Sequence, residues 1–225
     1  MTLRTIGGFA ALLCAATYLF GFALLVTLLA PLGDSDPAVV VGFIEAQPGL
    51  LTLWYTVIYV VNALALAVLV VAIHALLRPI RPDWAGVTRA FGLIWATLVL
   101  GAGMIANVAV ERTALLAASD PVHAAQTWEI LQAVELGLGG GNEIAGGIWI
   151  LCVSVAGLAA RVFGKLTGGL GLLTGAGGLA TVIPFLGETA GAIFGLGAIA
   201  WFIAVGVTLL RGERIVGQAS RPATA

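Results

Sequence analysis

The chain reads as an all-α, polytopic membrane bundle of six transmembrane helices with two short outer interfacial helices, and three observations carry that reading. Hydrophobic residues fill 60% of 225 positions and charged residues only 9%, with a mean hydropathy of +1.10. A chain this apolar has too little polar surface to cover a soluble core. Apolar runs near the twenty residues that a helix needs to cross roughly 30 Å of hydrocarbon recur along it. Its basic residues gather on one side of those runs.

The runs fall at residues 6–29, 49–77, 90–110, 144–160, 166–186 and 190–210, in a single transmembrane domain covering 1–225. The first follows a lone Arg4, is longer than a signal-peptide core and lacks a small-x-small cleavage site, so it is expected to stay as a span. With the N-terminus inside, Arg4, Arg78, Arg81, Arg89, Arg161, Lys165, Arg211, Arg214 and Arg221 are all inside, and Arg112 alone is outside. The positive-inside rule then places both termini in the cytoplasm, with 211–225 as a cytoplasmic tail. Of the acids, only Asp83 and Glu213 fall inside.

The two longer outer loops resemble each other. Ser35-Asp36-Pro37 and Ser119-Asp120-Pro121 each offer an Asp cap followed by Pro at the first helical position. A glutamate follows nine residues after each Asp, Glu45 and Glu129. Upstream, Arg4-x-x-Gly7 and Arg89-x-x-Gly92 hold matching places, which suggests a duplicated helical hairpin of span, short helix and return span. Lys165-x-x-Gly168 opens a third hairpin whose outer loop has shrunk around Glu188. Parallel repeats of this kind are compatible with transporters. In the helix after Pro121, Ile130, Leu131, Val134 and Leu138 share one face, opposite Gln126, Glu129 and Gln132. With no basic residue but His123 it is not built to grip anionic lipid. It reads either as a lid over the bundle or as a helix floating at the interface.

The polar candidates lie in the middle or outer part of the spans. Tyr55, Tyr59 and Asn62 sit at i, i+4 and i+7 on one face of the second span, and Gly103, Asn107 and Glu111 form a similar row on the third. Asn142 and Glu143 open the fourth, at the end of the glycine-rich stretch 137–147, which reads as a helix breaker and hinge. An ionisable group in a span costs roughly 2.5–3.5 kcal/mol on insertion scales, so it faces a partner, water or the bundle interior. Glu143 then has two readings. In one it binds a cation or substrate amine in an outer vestibule, with Asn62 and Asn107 supplying amide contacts. In the other it pairs with Arg112, and the asparagines are packing glue between helices.

Other features point to architecture. Cys14 and Cys152 lie apart in apolar runs and read as small core residues. His74 and His123 lie on opposite sides and share no metal site. Gly139-Gly140-Gly141 lacks the Lys-Ser/Thr ending of a phosphate loop. Gly171-x-x-x-Gly175 and Gly191-x-x-x-Gly195 are small-xxx-small spacings suited to close helix packing, and Pro184 ends or kinks the fifth span. No Gly-x-Ser-x-Gly elbow, His-Glu-x-x-His, Cys-x-x-Cys or paired intraspan aspartates occur. The only lysine, Lys165, begins a span rather than sitting mid-membrane. The sequence therefore indicates no enzyme, no cofactor and no metal.

Three groups of residues resemble an uncharacterised family of bacterial six-span membrane proteins classed as a domain of unknown function. They are Arg4-x-x-Gly7-Gly8, then Gly140-Gly141-Asn142-Glu143-Ile144 with Gly147-Ile148-Trp149, and Phe194-Gly195-Leu196-Gly197 leading to Trp201. The resemblance covers nearly the whole chain and implies a bacterial inner-membrane location without an assigned activity.

The functional expectation is small-solute or ion binding and transport through an outer polar vestibule. The alternative is a sensory or structural membrane partner with no transported substrate. The lipid bilayer is the expected partner, with a small-molecule or cation ligand and a homo-oligomer or membrane partner on the Gly-rich helices as further candidates, and no nucleic acid. Below Asn62 the second span runs Ala-Leu-Ala-Leu-Ala-Val-Leu-Val-Val-Ala-Ile to His74, an apolar inner half that favours a sealed bundle.

Overall fold

A computed structural model describes residues 1–140 and 143–219, with side chains for all of these except 139, 140, 184 and 213–219. The protein is an all-α, multi-span membrane bundle. Helix α1 covers Leu3–Thr27, α2 Pro37–Ala46, α3 Pro48–Tyr55, α4 Asn62–Leu77, α5 Pro82–Ala117 and α6 Pro121–Glu135, followed by α7 Glu143–Ala159, α8 Lys165–Ala180 and α9 Gly187–Ala219. Among the described residues, five stretches are long and apolar enough to cross a membrane: Leu3–Thr27, Pro48–Leu77, Pro82–Ala117, Pro121–Ala159 and Gly187–Gly212.

The remaining expected span, 166–186, corresponds to α8, which has 16 residues and so rises only about 24 Å. It stops at Ala180, and a 3-10 turn follows over Pro184–Leu186. Pro184 cannot donate the next backbone hydrogen bond and biases Ile183 away from helical geometry. The third and sixth expected spans extend into the longer helices α5 and α9. Within the second, a π-helical turn over Thr56–Val61 separates α3 from α4.

Both short helices begin as their capping signals require. Asp36 Oδ1 accepts from the Ala38 N–H at 2.9 Å and Asp120 Oδ1 from the His123 N–H at 3.0 Å, with Pro37 and Pro121 in first position. After α6, Leu136–Gly140 winds as a second π-helical turn, and the remainder of the expected breaker at 141–142 lies outside the described residues.

The chain divides into two compact units. The first comprises Met1–Ala15, Ala65–Ile94 and Glu143–Ala225, and the second Ala16–Leu64 and Trp95–Asn142. In the first, α8 packs between α7 and α9 through its glycines. A Cβ on Gly147 would lie 2.9 Å from the Gly175 carbonyl oxygen, and one on Gly175 2.8 Å from that of Gly147, so the two backbones touch. Trp149 meets Trp201 edge-on, with ring centroids 5.4 Å apart. Arg4 Nε donates to the Leu209 carbonyl at 3.0 Å, tying the start of α1 to α9. In the second unit, Leu29, Ile44, Leu51, Tyr55, Val110 and Trp128 form a buried core that joins α2, α3, α5 and α6.

Candidate functional site

The second unit is held together by polar bonds between helices. Fully buried Asn62 donates through Nδ2 to Thr17 Oγ1 on α1 at 2.7 Å, and Trp54 Nε1 donates to the Gly21 carbonyl at 3.0 Å. Asn107 on α5 donates to Thr56 Oγ1 at 3.2 Å. The asparagines thus link neighbouring helices, as small polar groups do where apolar packing alone does not orient helices.

The π-helical turn places Tyr59 against α6. Its hydroxyl donates to Glu135 Oε1 at 2.6 Å, and its ring stacks on Tyr55 with centroids 6.0 Å apart and planes 8° from parallel. Trp54 abuts Tyr55, tilted, at 4.7 Å. Gly103 on α5 leaves the space that Tyr59 fills, since a side chain there would collide with the tyrosine's own Cβ. Each partner of the Tyr59–Glu135 bond lies at a π-helical turn, Tyr59 within the first and Glu135 directly before the second. Such turns insert one residue into the helix and re-aim the side chains around them, and they recur at functional sites.

Glu135 is 5% exposed, and the only basic side chains of its unit, Arg112 and His123, are exposed and not within ion-pair distance of it. A carboxylate buried without a cation partner carries a large desolvation cost, which one hydroxyl offsets only in part. The arrangement can therefore hold a proton or a small cation at the carboxylate, with aromatic faces beside it.

The sequence signal for Glu135 was masked by the assumed orientation of α6. Ile130, Val134 and Leu138, expected to cover the bundle, are 63%, 46% and 38% exposed, while Ala124, Trp128 and Glu135 are the buried positions. The helix is turned by roughly a quarter. A membrane helix can leave aliphatic side chains facing outward at little cost but must bring a carboxylate to a partner. Successive α-helical steps of 100° put Trp128 and Glu135 on one face, so the pairing of an acid with an aromatic at i, i+7 was the available clue.

Of the other candidates, Glu111 and Arg112 are exposed on α5. Glu143 is half-buried in α7. It belongs to the first unit and Arg112 to the second. Asn142 lies outside the described residues. Among the described residues, no group of three or more His, Cys, Asp or Glu is arranged to hold a metal ion.

Long apolar helices stitched by interhelical polar bonds around one buried acid define a multi-pass α-helical membrane protein. The chain belongs to the family described as Domain of unknown function (DUF4386), whose model matches residues 6–212. No match is found among curated proteins or among solved structures.

Proposed function

We propose that this protein binds a small solute or ion for transport, and that the binding group is Glu135, held by Tyr59 and flanked by Tyr55. The observation that carries this reading is a buried carboxylate whose unit offers it a hydroxyl and aromatic rings but no basic partner within reach. Asn107 adds an acceptor, because its buried Oδ1 meets no donor among the described residues. The polar cluster around Glu135 is then the outer vestibule. In this reading α8 crosses as the fifth of six spans, the two Asp-Pro helices belong to a duplicated hairpin, and both termini face the cytoplasm of a bacterial inner membrane.

Thermal unfolding of the detergent-solubilised protein in sodium, potassium and ammonium salts at constant ionic strength tests the site. A ligand at a hundred times its Kd stabilises by about 2.7 kcal/mol, so at least one cation is expected to raise Tm and Glu135→Gln to abolish that rise. An undiminished rise in Glu135→Gln would refute the assignment.

A sensory or structural partner role is the second reading, and Gly191 and Gly195 on α9 favour it. Nothing lies within 4 Å of where their side chains would be, so another helix could approach there closely. A stable hetero-complex in pull-downs, with no cation-dependent Tm, would select it.

A further inference from the structure

Each of the five apolar stretches has an arginine within two residues of one end. Arg4 stands beside Leu3, Arg78 after Leu77, Arg81 before Pro82, Arg161 beyond Ala159 and Arg211 beside Gly212. The opposite ends, at Thr27, Pro48, Ala117, Pro121 and Gly187, have no Lys or Arg within that distance. All five arginines belong to the first unit, and contacts within it bring their helices together. Gly7 of α1 packs against Ala72 of α4, and Gly8 against Leu210 of α9. Thr167 Oγ1 lies 3.5 Å from Thr208 Oγ1, which brings the start of α8 to the same part of α9.

Among the described residues, neither these arginines nor Lys165 has a carboxylate within ion-pair distance. Standing where apolar stretches end, they lie at the depth of the bilayer phosphates. Arg4 is held in place, because its Nε and Nη2 donate to the Leu209 and Thr208 carbonyls at 3.0 and 3.4 Å and its guanidinium occupies the space that Gly212 leaves. Carbonyls orient the group without cancelling its charge. Arg161 keeps a side chain at φ 57, where glycine is usual, so the turn from α7 to α8 carries a cation at a backbone cost. Beside the cations, Leu3 and Leu166 are exposed. A free phosphate would answer the charges alone, whereas a phospholipid brings acyl chains for these leucines as well.

We propose that this end of the first unit binds the headgroup phosphate of an anionic phospholipid, at the corner of Arg4, Arg161, Lys165 and Arg211 beside the Thr167 and Thr208 hydroxyls. The test is thermal unfolding of the detergent-solubilised full chain, titrated at constant ionic strength with phosphatidylglycerol, phosphatidylcholine or inorganic phosphate. Phosphatidylglycerol is expected to raise Tm, and the other two are not. A cation near an anionic surface strengthens binding about fivefold, so Lys165→Gln/Arg211→Gln is expected to raise the half-saturating lipid concentration at least tenfold. Arg161→Gly is expected to raise it about fivefold while stabilising the lipid-free protein, which separates lost binding from lost folding. Arg112→Gln removes the one arginine of the second unit and is expected to change nothing. An equal rise with phosphatidylcholine or with inorganic phosphate, no rise with phosphatidylglycerol, a rise undiminished in either rim variant, or a matching loss in Arg112→Gln would each overturn the proposal.

Discussion

The bond from Tyr59 to Glu135 is the residue-scale feature on which the proposed function turns. Hydrogen bonds to charged groups contribute about 1.5–3 kcal/mol, more than neutral ones, and removing the donor leaves the buried acid short of a partner. Tyr59→Phe is therefore expected to lower stability by about 2 kcal/mol in denaturant or thermal unfolding. In a double-mutant cycle, Glu135→Gln is expected to remove most of that difference, because a neutral amide depends less on the lost hydroxyl. Additive losses would show that the two side chains do not act together. A second residue stands out by its backbone. Arg161 has φ 57, the left-handed region where a side chain crowds the chain and glycine does not. It closes α7, and the Val162 and Phe163 N–H groups both reach back to the Gly157 carbonyl, the wrapped helix ending at which glycine is usual. Arg161→Gly is expected to raise stability by up to about 1 kcal/mol, read as an increase in Tm. The positive-inside count names what an arginine would offer there in exchange for the strain, a charge at the end of a span.

At the scale of elements, the glycines of α8 and α9 separate into two kinds that look alike in sequence. Gly175 faces the α7 backbone, so Gly175→Ala inserts a methyl where Leu151 and the Gly147 carbonyl already sit. Overpacking of this sort costs typically 1–3 kcal/mol. Gly195 faces open space, and Gly195→Ala is expected to leave stability unchanged or raise it by up to about 1 kcal/mol through helix propensity. Parallel thermal melts of the two variants check this; matching losses would mean that Gly195 also packs against a partner. Helix α6 teaches the related lesson about faces. Its aliphatic stripe suggested either a lid over the bundle or a helix at the interface; Leu131 of that stripe packs partly against the core, but the buried positions are Ala124, Trp128 and Glu135. Which stripe turns inward depends on whether water or lipid lies outside, and a stripe by itself does not say.

At the scale of the whole molecule, the charge count predicts an orientation that cysteine labelling in intact bacteria can check. In a background lacking Cys14 and Cys152, Glu188→Cys is expected to react with a membrane-impermeant maleimide and Arg81→Cys only after lysis. The reverse pattern would overturn the placement of both termini in the cytoplasm. Labelling both ends of α8, at Gly164 and Gly187, further tests whether sixteen residues cross as a full span. Reaction from opposite sides is expected, and reaction from one side would reduce the bundle to the five long apolar stretches.

Composition and the recurrence of apolar runs near twenty residues determined that this is an all-α chain for a membrane, because a helix of that length crosses the hydrocarbon with its backbone hydrogen bonds satisfied within itself. The helix starts at Asp36 and Asp120 were legible for a similar reason, as capping is a local bond within three residues. Tyr55, Tyr59, Asn62 and Asn107 were also visible as polar groups that had to find partners. What those partners are was decided only by tertiary structure. The π-helical turns shift the phase of both helices that carry the cluster, and α6 turns its acid rather than its aliphatic face inward. Glu135 thereby meets the Tyr59 hydroxyl, since a buried carboxylate is positioned by the hydroxyl it can reach across its unit and not by its neighbours along the chain.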